Sequence, residues 1–183
     1  PVSAQAETEI EAALADRFIG AEDAPVTIIE YSSLTCPHCA AFHTGALPEI
    51  VETYVETGKV KIIVRDFPLD GRAAAASLLA RCAPADRYFP LVDLMFKRQQ
   101  KWARSYDPLN ALAEMGRFAG MGQSDIDACF KNEALYAGIL EKKAAYQEEN
   151  SIKSTPTFFI NGEMVSGNQP FSEFKQVIES YLN

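Results

Sequence analysis

Two cysteines stand close together in the stretch YSSLTCPHCAAFH. Cys36 and Cys39 enclose Pro37 and His38, and cysteines at this spacing can close a small disulfide, exchange electrons with other thiols or bind a metal ion. The secondary structure around the pair bears on which chemistry applies. Residues 25–31 form a β-branched run that predicts a buried strand, and the residues after the pair predict a helix. Cys36 is therefore predicted to lie at the start of a helix.

The start of a helix favours a negatively charged sulfur. The N–H groups of the first turn lack partners there, and the helix dipole is positive. We therefore expect the pKa of Cys36 to lie well below the value of about 8.5 for a free thiol. Pro37 is tolerated because a first-turn residue needs no N–H donor, and His38 adds a donor or a positive charge beside the sulfur. Each unit by which the pKa falls below the ambient pH makes the disulfide about 30 mV more oxidising, which predicts a thiol oxidase.

Three other interpretations of the cysteine pair stay open. The disulfide could be structural, although this spacing at a helix start would strain it. A zinc ion could be bound by Cys36, Cys39 and His43, which share one helical face, but no fourth ligand is evident near them. The spacing could also arise by chance. Outside the zinc interpretation, His43 is predicted to lie on the helix surface.

The composition limits the classes of protein to consider. A chain of 183 residues that is 48% hydrophobic fits one compact domain with room for an inserted subdomain. The net charge of −8, without a dense run of Lys and Arg, disfavours a nucleic-acid partner. The apolar runs are shorter than the roughly 18 residues of a membrane helix, so we expect no membrane embedding. The chain begins with Pro1 rather than Met, which a removed signal peptide or a cloning boundary would explain.

The pattern of apolar residues predicts an α/β fold. Two strands, residues 25–31 and 59–67, flank a helix that runs to about Thr57 and should kink at Pro48, and together they form a βαβ unit with parallel strands. Residues 71–150 show helical patterns alone and predict a helical insertion. The other predicted features are a short helix over 7–15, an edge strand within 16–20, helix caps at Asp107 and Ser124, a hairpin around Asn161-Gly162, and a last helix capped by Ser172.

This order of elements resembles the thioredoxin superfamily. A strand, a CxxC motif at a helix start, a second strand, a helical block and then "TP" before a hairpin follow one another, and the sharpest matches are "IIEYSSLTCPHC" and "STPTFFING". The CPHC motif and the helical insertion are similar to the DsbA branch of periplasmic thiol oxidases. The resemblance implies an α/β thioredoxin fold with a mixed central sheet. Residues 1–70 and 151–183 would form the thioredoxin-like domain, and residues 71–150 an inserted all-helical subdomain.

The resemblance also implies roles for the residues of the CPHC motif. Cys36 corresponds to the exposed nucleophile of the family, and Cys39 to the buried resolving thiol. Pro37 and His38 match the dipeptide that tunes the redox properties of the pair.

Three residues outside the motif receive implied roles as well. Pro156 corresponds to the family's cis-proline, which faces the cysteines and leaves neighbouring backbone free to pair with a substrate strand. Thr155 precedes it, where many members carry Val. Glu30 lies in the strand that leads to the motif, where the family often has a buried acid that relays protons for the deeper thiol. From the residues alone, a trans proline and a solvent-facing glutamate stay open.

The two other cysteines, Cys82 and Cys129, both lie in the helical block. Two unpaired thiols would be a hazard for a thiol oxidase in an oxidising compartment, so we predict that they form a structural disulfide. Closure of a loop of this length is worth about 4 kcal/mol in the chain-entropy model. Two buried free cysteines are the alternative.

The function implied by these observations is that of a thiol:disulfide oxidoreductase. It would donate the Cys36–Cys39 disulfide to reduced, folding secreted proteins through a mixed disulfide, as a periplasmic monomer without metal or cofactor. A membrane reoxidase of the DsbB type would restore the disulfide. The alternatives are a disulfide isomerase or reductase, and a non-catalytic peptide-holding or zinc-binding module on the same scaffold.

Overall fold

The structure, a computed structural model, describes residues 4–183, and the expectation about Pro1 therefore lies outside the described residues. The sheet contains β1 (Arg17–Ile19), β2 (Val26–Ser32), β3 (Val60–Asp66), β4 (Thr157–Ile160) and β5 (Glu163–Ser166). The strands lie in the order β1-β3-β2-β4-β5. β2 and β3 run parallel, and the other neighbouring pairs are antiparallel. The prediction of an α/β fold with a mixed sheet is confirmed.

β2 lies in the middle of the sheet and leads directly to the cysteine pair. It pairs with β3 from Val26 opposite Val60 to Ser32 opposite Asp66, and with β4 on its other side. The β-branched residues of this strand pack well on a surface that is covered on both sides. The position of Cys36 is therefore set by a strand that two neighbours hold in register.

The crossover from β2 to β3 is helical but broken. It consists of α2 (Pro37–Thr44), α3 (Ala46–Ile50) and a π-helical turn (Val51–Val55). The break lies at Gly45, where φ is −116° and ψ is −91°. In an unbroken helix the ring of Pro48 would clash with the carbonyl of Thr44, four residues earlier. The predicted kink is therefore confirmed. The crossover buries four of its side chains, which belong to Phe42, Ala46, Ile50 and Tyr54.

The helical block lies between β3 and β4. Its members are α4 (Gly71–Cys82), α5 (Tyr88–Lys97), α6 (Gln99–Trp102), α7 (Pro108–Phe118), α8 (Gln123–Phe130) and α9 (Glu133–Asn150), with a short 3₁₀ turn at Ala85–Arg87. Asp70 caps α4 by accepting a hydrogen bond from the Ala73 N–H at 2.8 Å. The predicted cap at Asp107 is confirmed, since its carboxylate accepts from the Asn110 N–H at 3.1 Å.

Two predicted caps are wrong. α8 begins at Gln123, so Gly122 occupies the cap position and Ser124 lies inside the first turn. The last helix, α10 (Phe171–Ser180), begins after Pro170, and Ser172 lies inside it. In both cases the residue with extended backbone stands before the serine: ψ is near 153° at Gly122 and 158° at Pro170. The helix therefore begins earlier than predicted.

The ends of the described chain match the other predictions. The short N-terminal helix is α1, Ala4–Leu14, and the predicted edge strand is β1. The β4–β5 hairpin turns at Asn161 and Gly162, whose φ angles of +46° and +93° suit the tight turn expected of Asn-Gly.

Two hydrophobic cores meet at α2. One core fills the helical block and includes Cys39, Leu79, Met95 and Trp102. The other lies between the sheet, α2, α3 and α10, and includes Phe42. α2 is therefore packed on both sides, and its thiol-bearing turn faces the helical block.

A disulfide joins Cys82 at the end of α4 to Cys129 in α8, with a Cα–Cα distance of 6.0 Å. This is the pairing predicted for the second pair of cysteines. It connects two helices of the block to each other and leaves the CPHC motif as free thiols. Within residues 4–183, no helix combines the length and apolar character needed to cross a membrane.

Candidate active site

Cys36 occupies the position immediately before α2. Its N–H donates to the Ser33 carbonyl at 3.0 Å, and its own carbonyl accepts from the Ala40 N–H at 3.1 Å, which is the first hydrogen bond of the helix. The sulfur therefore lies beside the N–H groups of the first helical turn. We call residues 33–36 the catalytic turn.

The exposure of the two thiols differs from expectation in one respect. Cys36 is 6% exposed and Cys39 is fully buried, so Cys39 is the deeper of the two. The expectation of an exposed Cys36 is wrong for this reduced form, because the thiol is directed at the Thr155 carbonyl, to which it donates at 3.3 Å. Pro37 and His38 beside it are exposed, so the covered sulfur still lies next to the protein surface.

The surroundings of Cys36 favour its thiolate. A hydrogen bond from the Cys39 thiol is the main cause that lowers the pKa of Cys36 to about 5. The Thr155 side chain and the backbone N–H groups of Cys39 and His38 act in the same direction, and burial acts against them. The sequence-based expectation of a low pKa is thus met, although the neighbouring thiol contributes more than the helix start does.

Cys39 has the opposite environment. Burial raises its pKa above the usual range, the hydrogen bond to Cys36 and the charge of Glu30 raise it further, and the Ser32 side chain acts against them. The proton therefore stays on Cys39 while Cys36 carries the charge. This division of roles suits a pair in which one sulfur meets other molecules and the other stays inside.

Two buried side chains near the thiols form a pair, of which the sequence analysis predicted only the glutamate. Glu30 is fully buried in β2, and its two carboxylate oxygens lie 3.1 and 2.9 Å from Nε2 of His43. The His43 ring stacks on Phe96, with 4.1 Å between ring centroids. The prediction that His43 lies on the surface is wrong, because a buried carboxylate needs a partner and α2 supplies this one.

A signal for this pair was present in the sequence. Glu30 has the same parity along β2 as the buried Val26 and Ile28. His43 follows Cys39 by four residues, which places both on one helical face. An inward-facing acid and an inward-facing histidine on adjacent elements are expected to meet.

Thr155 and Pro156 lie immediately before β4, beside Cys36. The peptide bond between them is cis. Since β4 pairs with β2, the segment before β4 reaches the same edge of the sheet as the catalytic turn. The Thr155 hydroxyl is buried and makes no hydrogen bond within the described residues while the Cys36 thiol donates to the Thr155 carbonyl.

The helical block and the loop that precedes it both hold the catalytic turn. On one side Thr35 donates to the Asp70 carboxylate at 2.7 Å, and the Leu69 N–H donates to the Ser33 hydroxyl at 3.2 Å. On the other side the Gln99 side chain donates to backbone carbonyls of the turn. Sequence reasoning did not find Gln99, because nothing in the local pattern links it to a turn 63 positions away.

The zinc interpretation gains no support from this geometry. Nε2 of His43 is directed at Glu30 rather than at the thiols. Among the described residues, no cluster of three or more His, Cys, Asp or Glu side chains is arranged to hold a metal ion.

Comparison with known proteins places this arrangement in a family. A family model described as thioredoxin matches residues 12–180. The chain belongs to the thioredoxin family. Within that family it is DsbA-like: the structure of alpha-DsbA1 from Wolbachia pipientis is 29% identical, with a TM-score of 0.85 over 94% of this chain and 95% of that one. A structure named as a protein-disulfide isomerase from Novosphingobium aromaticivorans is 26% identical, with a TM-score of 0.79 over 92% and 97% of the two chains.

Curated relatives of this thioredoxin-family chain carry related names. A Rickettsia bellii protein with the provisional name protein-disulfide oxidoreductase is 30% identical over 172 residues, which are 92% of this chain and 66% of that protein. Disulfide bond formation protein D of Bacillus subtilis is 21% identical over 90% of this chain and 76% of that protein. The chain spans 60 to 66% of the length of the Rickettsia bellii and Rickettsia conorii relatives.

Proposed function

We propose that the protein is a thiol:disulfide oxidoreductase that works as an oxidase and donates the Cys36–Cys39 disulfide to other proteins. The observation that carries this proposal is the contrast between the two thiols. Cys36 has a pKa of about 5 at the start of a helix, while the pKa of the buried Cys39 is raised. A thiol couple whose reduced form is stabilised in this way is a strong oxidant.

The reaction is a sequence of two exchanges. A client thiolate attacks the Cys36 sulfur, the Cys36–Cys39 bond breaks, and Cys39 leaves and takes up a proton. A second client thiolate then attacks the client sulfur of the mixed disulfide, and Cys36 leaves as a thiolate. The client loses two electrons and forms a disulfide, and the protein gains both electrons as the reduced pair.

The acidity of Cys36 supplies the driving force. At pH 7 a pKa of about 5 lies two units below the ambient pH, which makes the couple about 60 mV more oxidising than one whose thiol titrates at pH 7. Pro37 and His38 are exposed and lie next to Cys36. In this proposal they form the dipeptide that tunes the redox properties of the cysteine pair.

The remaining roles follow from the same geometry. Thr155 and Pro156 would bind the client backbone, since no hydrogen bond to the Thr155 N–H is present among residues 4–183. Glu30, paired with His43, would relay the proton that Cys39 takes up. The disulfide of Cys82 and Cys129 would be structural, and residues 71–150 would form the inserted subdomain.

The proposed clients are reduced, folding secreted proteins in the periplasm. A membrane partner of the DsbB type would return the pair to the disulfide, and the protein would act as a monomer. The names of the Rickettsia bellii and Bacillus subtilis relatives support work in disulfide formation.

The test is oxidation of a reduced, unstructured peptide that carries two thiols. The oxidised protein should convert it to the disulfide form stoichiometrically, and Cys36→Ala should abolish the reaction. Cys39→Ala, mixed with a peptide activated as a disulfide, should accumulate the mixed disulfide through Cys36, which mass spectrometry detects. A wild-type protein that leaves the dithiol peptide reduced, yet rearranges scrambled disulfides, would favour the isomerase alternative.

A further inference from the structure

Gln99 makes two buried hydrogen bonds to the catalytic turn. It is the first residue of α6 and only 4% exposed, and its side-chain nitrogen Nε2 lies 2.9 Å from the carbonyl oxygens of both Leu34 and Cys36. The amide nitrogen carries two N–H donors, so each carbonyl receives one. The donors come from the helical block, and the acceptors flank Thr35 in the catalytic turn.

The corner between α5 and α6 holds Gln99 in place. Trp102 is fully buried and donates from its indole nitrogen to the Met95 carbonyl at 2.8 Å, which ties α6 to α5. On the same corner Phe96 stacks on His43. The corner therefore contacts α2 at both ends, through Gln99 near its first residue and through Phe96 near its last turn. Side chains held in this way keep a defined position for the groups that they bind.

The contact with Cys36 acts on the residue that carries the reactive sulfur. The Cys36 carbonyl accepts from the Ala40 N–H as well as from Gln99, so both acceptor positions of that oxygen are used. This peptide group leads into the first turn of α2, so its orientation bears on where the N–H groups of His38 and Cys39 point. The positive end of the Gln99 amide also lies against the carbonyl of Cys36, and both effects favour a negative charge on the sulfur.

We propose that Gln99 is a positioning residue for the Cys36 centre: its amide holds the catalytic turn so that the first N–H groups of α2 remain directed at the sulfur. This inference rests on the proposed function and adds to it. The helical block then does more than cover the thiols, because one of its side chains helps to set the oxidising strength of the pair.

The test replaces the donor and keeps the length of the side chain. Gln99→Met removes both N–H groups, and Gln100→Met is the matched control because Gln100 is exposed on the same short helix. For each reduced protein, thiolate absorbance against pH gives the pKa of Cys36, and equilibration with glutathione gives the redox equilibrium constant. Gln99→Met should raise the pKa by about half a unit and shift the equilibrium about three-fold toward the oxidised protein. Gln100→Met should match the wild type in both measurements.

Stability and function are separated by two further measurements. A Gln99→Met protein with a lower urea midpoint but an unchanged pKa and equilibrium constant would show that Gln99 is merely structural and overturn the proposal. If Gln99→Met does not fold, amide hydrogen exchange of Gln99→Leu decides: faster exchange at Ala40 relative to Phe42 supports the positioning role, and unchanged exchange overturns it. If the wild-type protein fails to oxidise the dithiol peptide while Gln99→Met still shifts the Cys36 pKa, the oxidase proposal is wrong and the positioning role of Gln99 is supported.

Discussion

Cys36 and Cys39 carry the same side chain three positions apart, and their surroundings move the two pKa values in opposite directions. The Cys39 thiol, the Thr155 side chain and the first N–H groups of α2 lower the pKa of Cys36. Cys39 lies inside the helical core, where the charged form loses its solvation. In the proposed oxidase, such a pair would exchange disulfides through Cys36 alone, because the inner thiol stays protonated.

The acidity of Cys36 predicts how stability depends on pH. The folded pKa lies below the unfolded value, so the thiolate stabilises the reduced protein above about pH 8.5, and this contribution is lost as the pH falls to about 5. The oxidised protein has no such titration. The free energy of unfolding of the reduced form, minus that of the oxidised form, should rise by about 1.4 kcal/mol per pH unit across this window. Urea unfolding of both forms at several pH values measures it, and a flat difference would contradict the assignment.

Thr155→Val isolates the contribution of one hydroxyl. The Thr155 side chain stabilises the Cys36 thiolate, so its loss should raise the pKa of Cys36 by about one unit. The free energy of unfolding at low pH should not fall, because the hydroxyl has no partner among the described residues while the thiol is protonated. Thr157→Val is the control, since its hydroxyl donates to the Ser154 carbonyl instead. A thiolate titration in which the two variants agree would refute this role.

At the scale of elements, the contact between β2 and α2 includes one buried polar pair beside its hydrophobic packing. Glu30 and His43 are nearly inaccessible to solvent and hydrogen-bonded to each other. Removing one partner from such a pair leaves the other buried and uncompensated, whereas replacing both with apolar side chains often costs little. The pair therefore links the strand before the motif to the helix after it.

His43→Leu should lower the free energy of unfolding by about 3 kcal/mol at pH 7, because Glu30 is left buried without a partner. Glu30→Leu combined with His43→Leu should lose clearly less than the sum of the two single changes. Urea unfolding of the four proteins completes the cycle. Additive losses would mean that the two side chains act independently.

Some features of these elements could be predicted from the sequence, and others could not. The strand before Cys36, the kink near Pro48 and the Asn161-Gly162 turn could be predicted, because each depends on residues close in sequence. The burial of His43 was missed because its signal is not local: it appears only when α2 is considered together with Glu30 in β2. Gln99 gave no local signal at all, because its partners are main-chain carbonyls that any sequence would supply.

At the scale of the whole molecule, the second disulfide strengthens the helical block. It links Cys82 and Cys129, which are 47 positions apart, and so restricts the unfolded chain. Cys82→Ala combined with Cys129→Ala should therefore lower the free energy of unfolding by up to about 4 kcal/mol. Urea unfolding of the oxidised proteins measures the loss. Equal stability with and without the bridge would contradict the estimate, and Ala variants of Cys36 and Cys39 provide the comparison for loss of the short bridge.

The general architecture followed from the order of elements and from the resemblance of the CPHC and "STPTFFING" segments, both of which local patterns reveal. The covering of Cys36 by Thr155 did not follow, because it arises where the chain returns after the helical block and places β4 beside β2. Contacts of this kind depend on the assembled sheet and cannot be read from one segment.

The two hydrophobic cores share α2, with Cys39 facing one and Phe42 facing the other. A substitution that changes packing in either core therefore acts on the helix that begins after Cys36 and contains Cys39, even from a site far from both sulfurs. Variants selected for heat resistance should therefore also be measured for the proposed disulfide exchange, because one substitution can change both properties through α2.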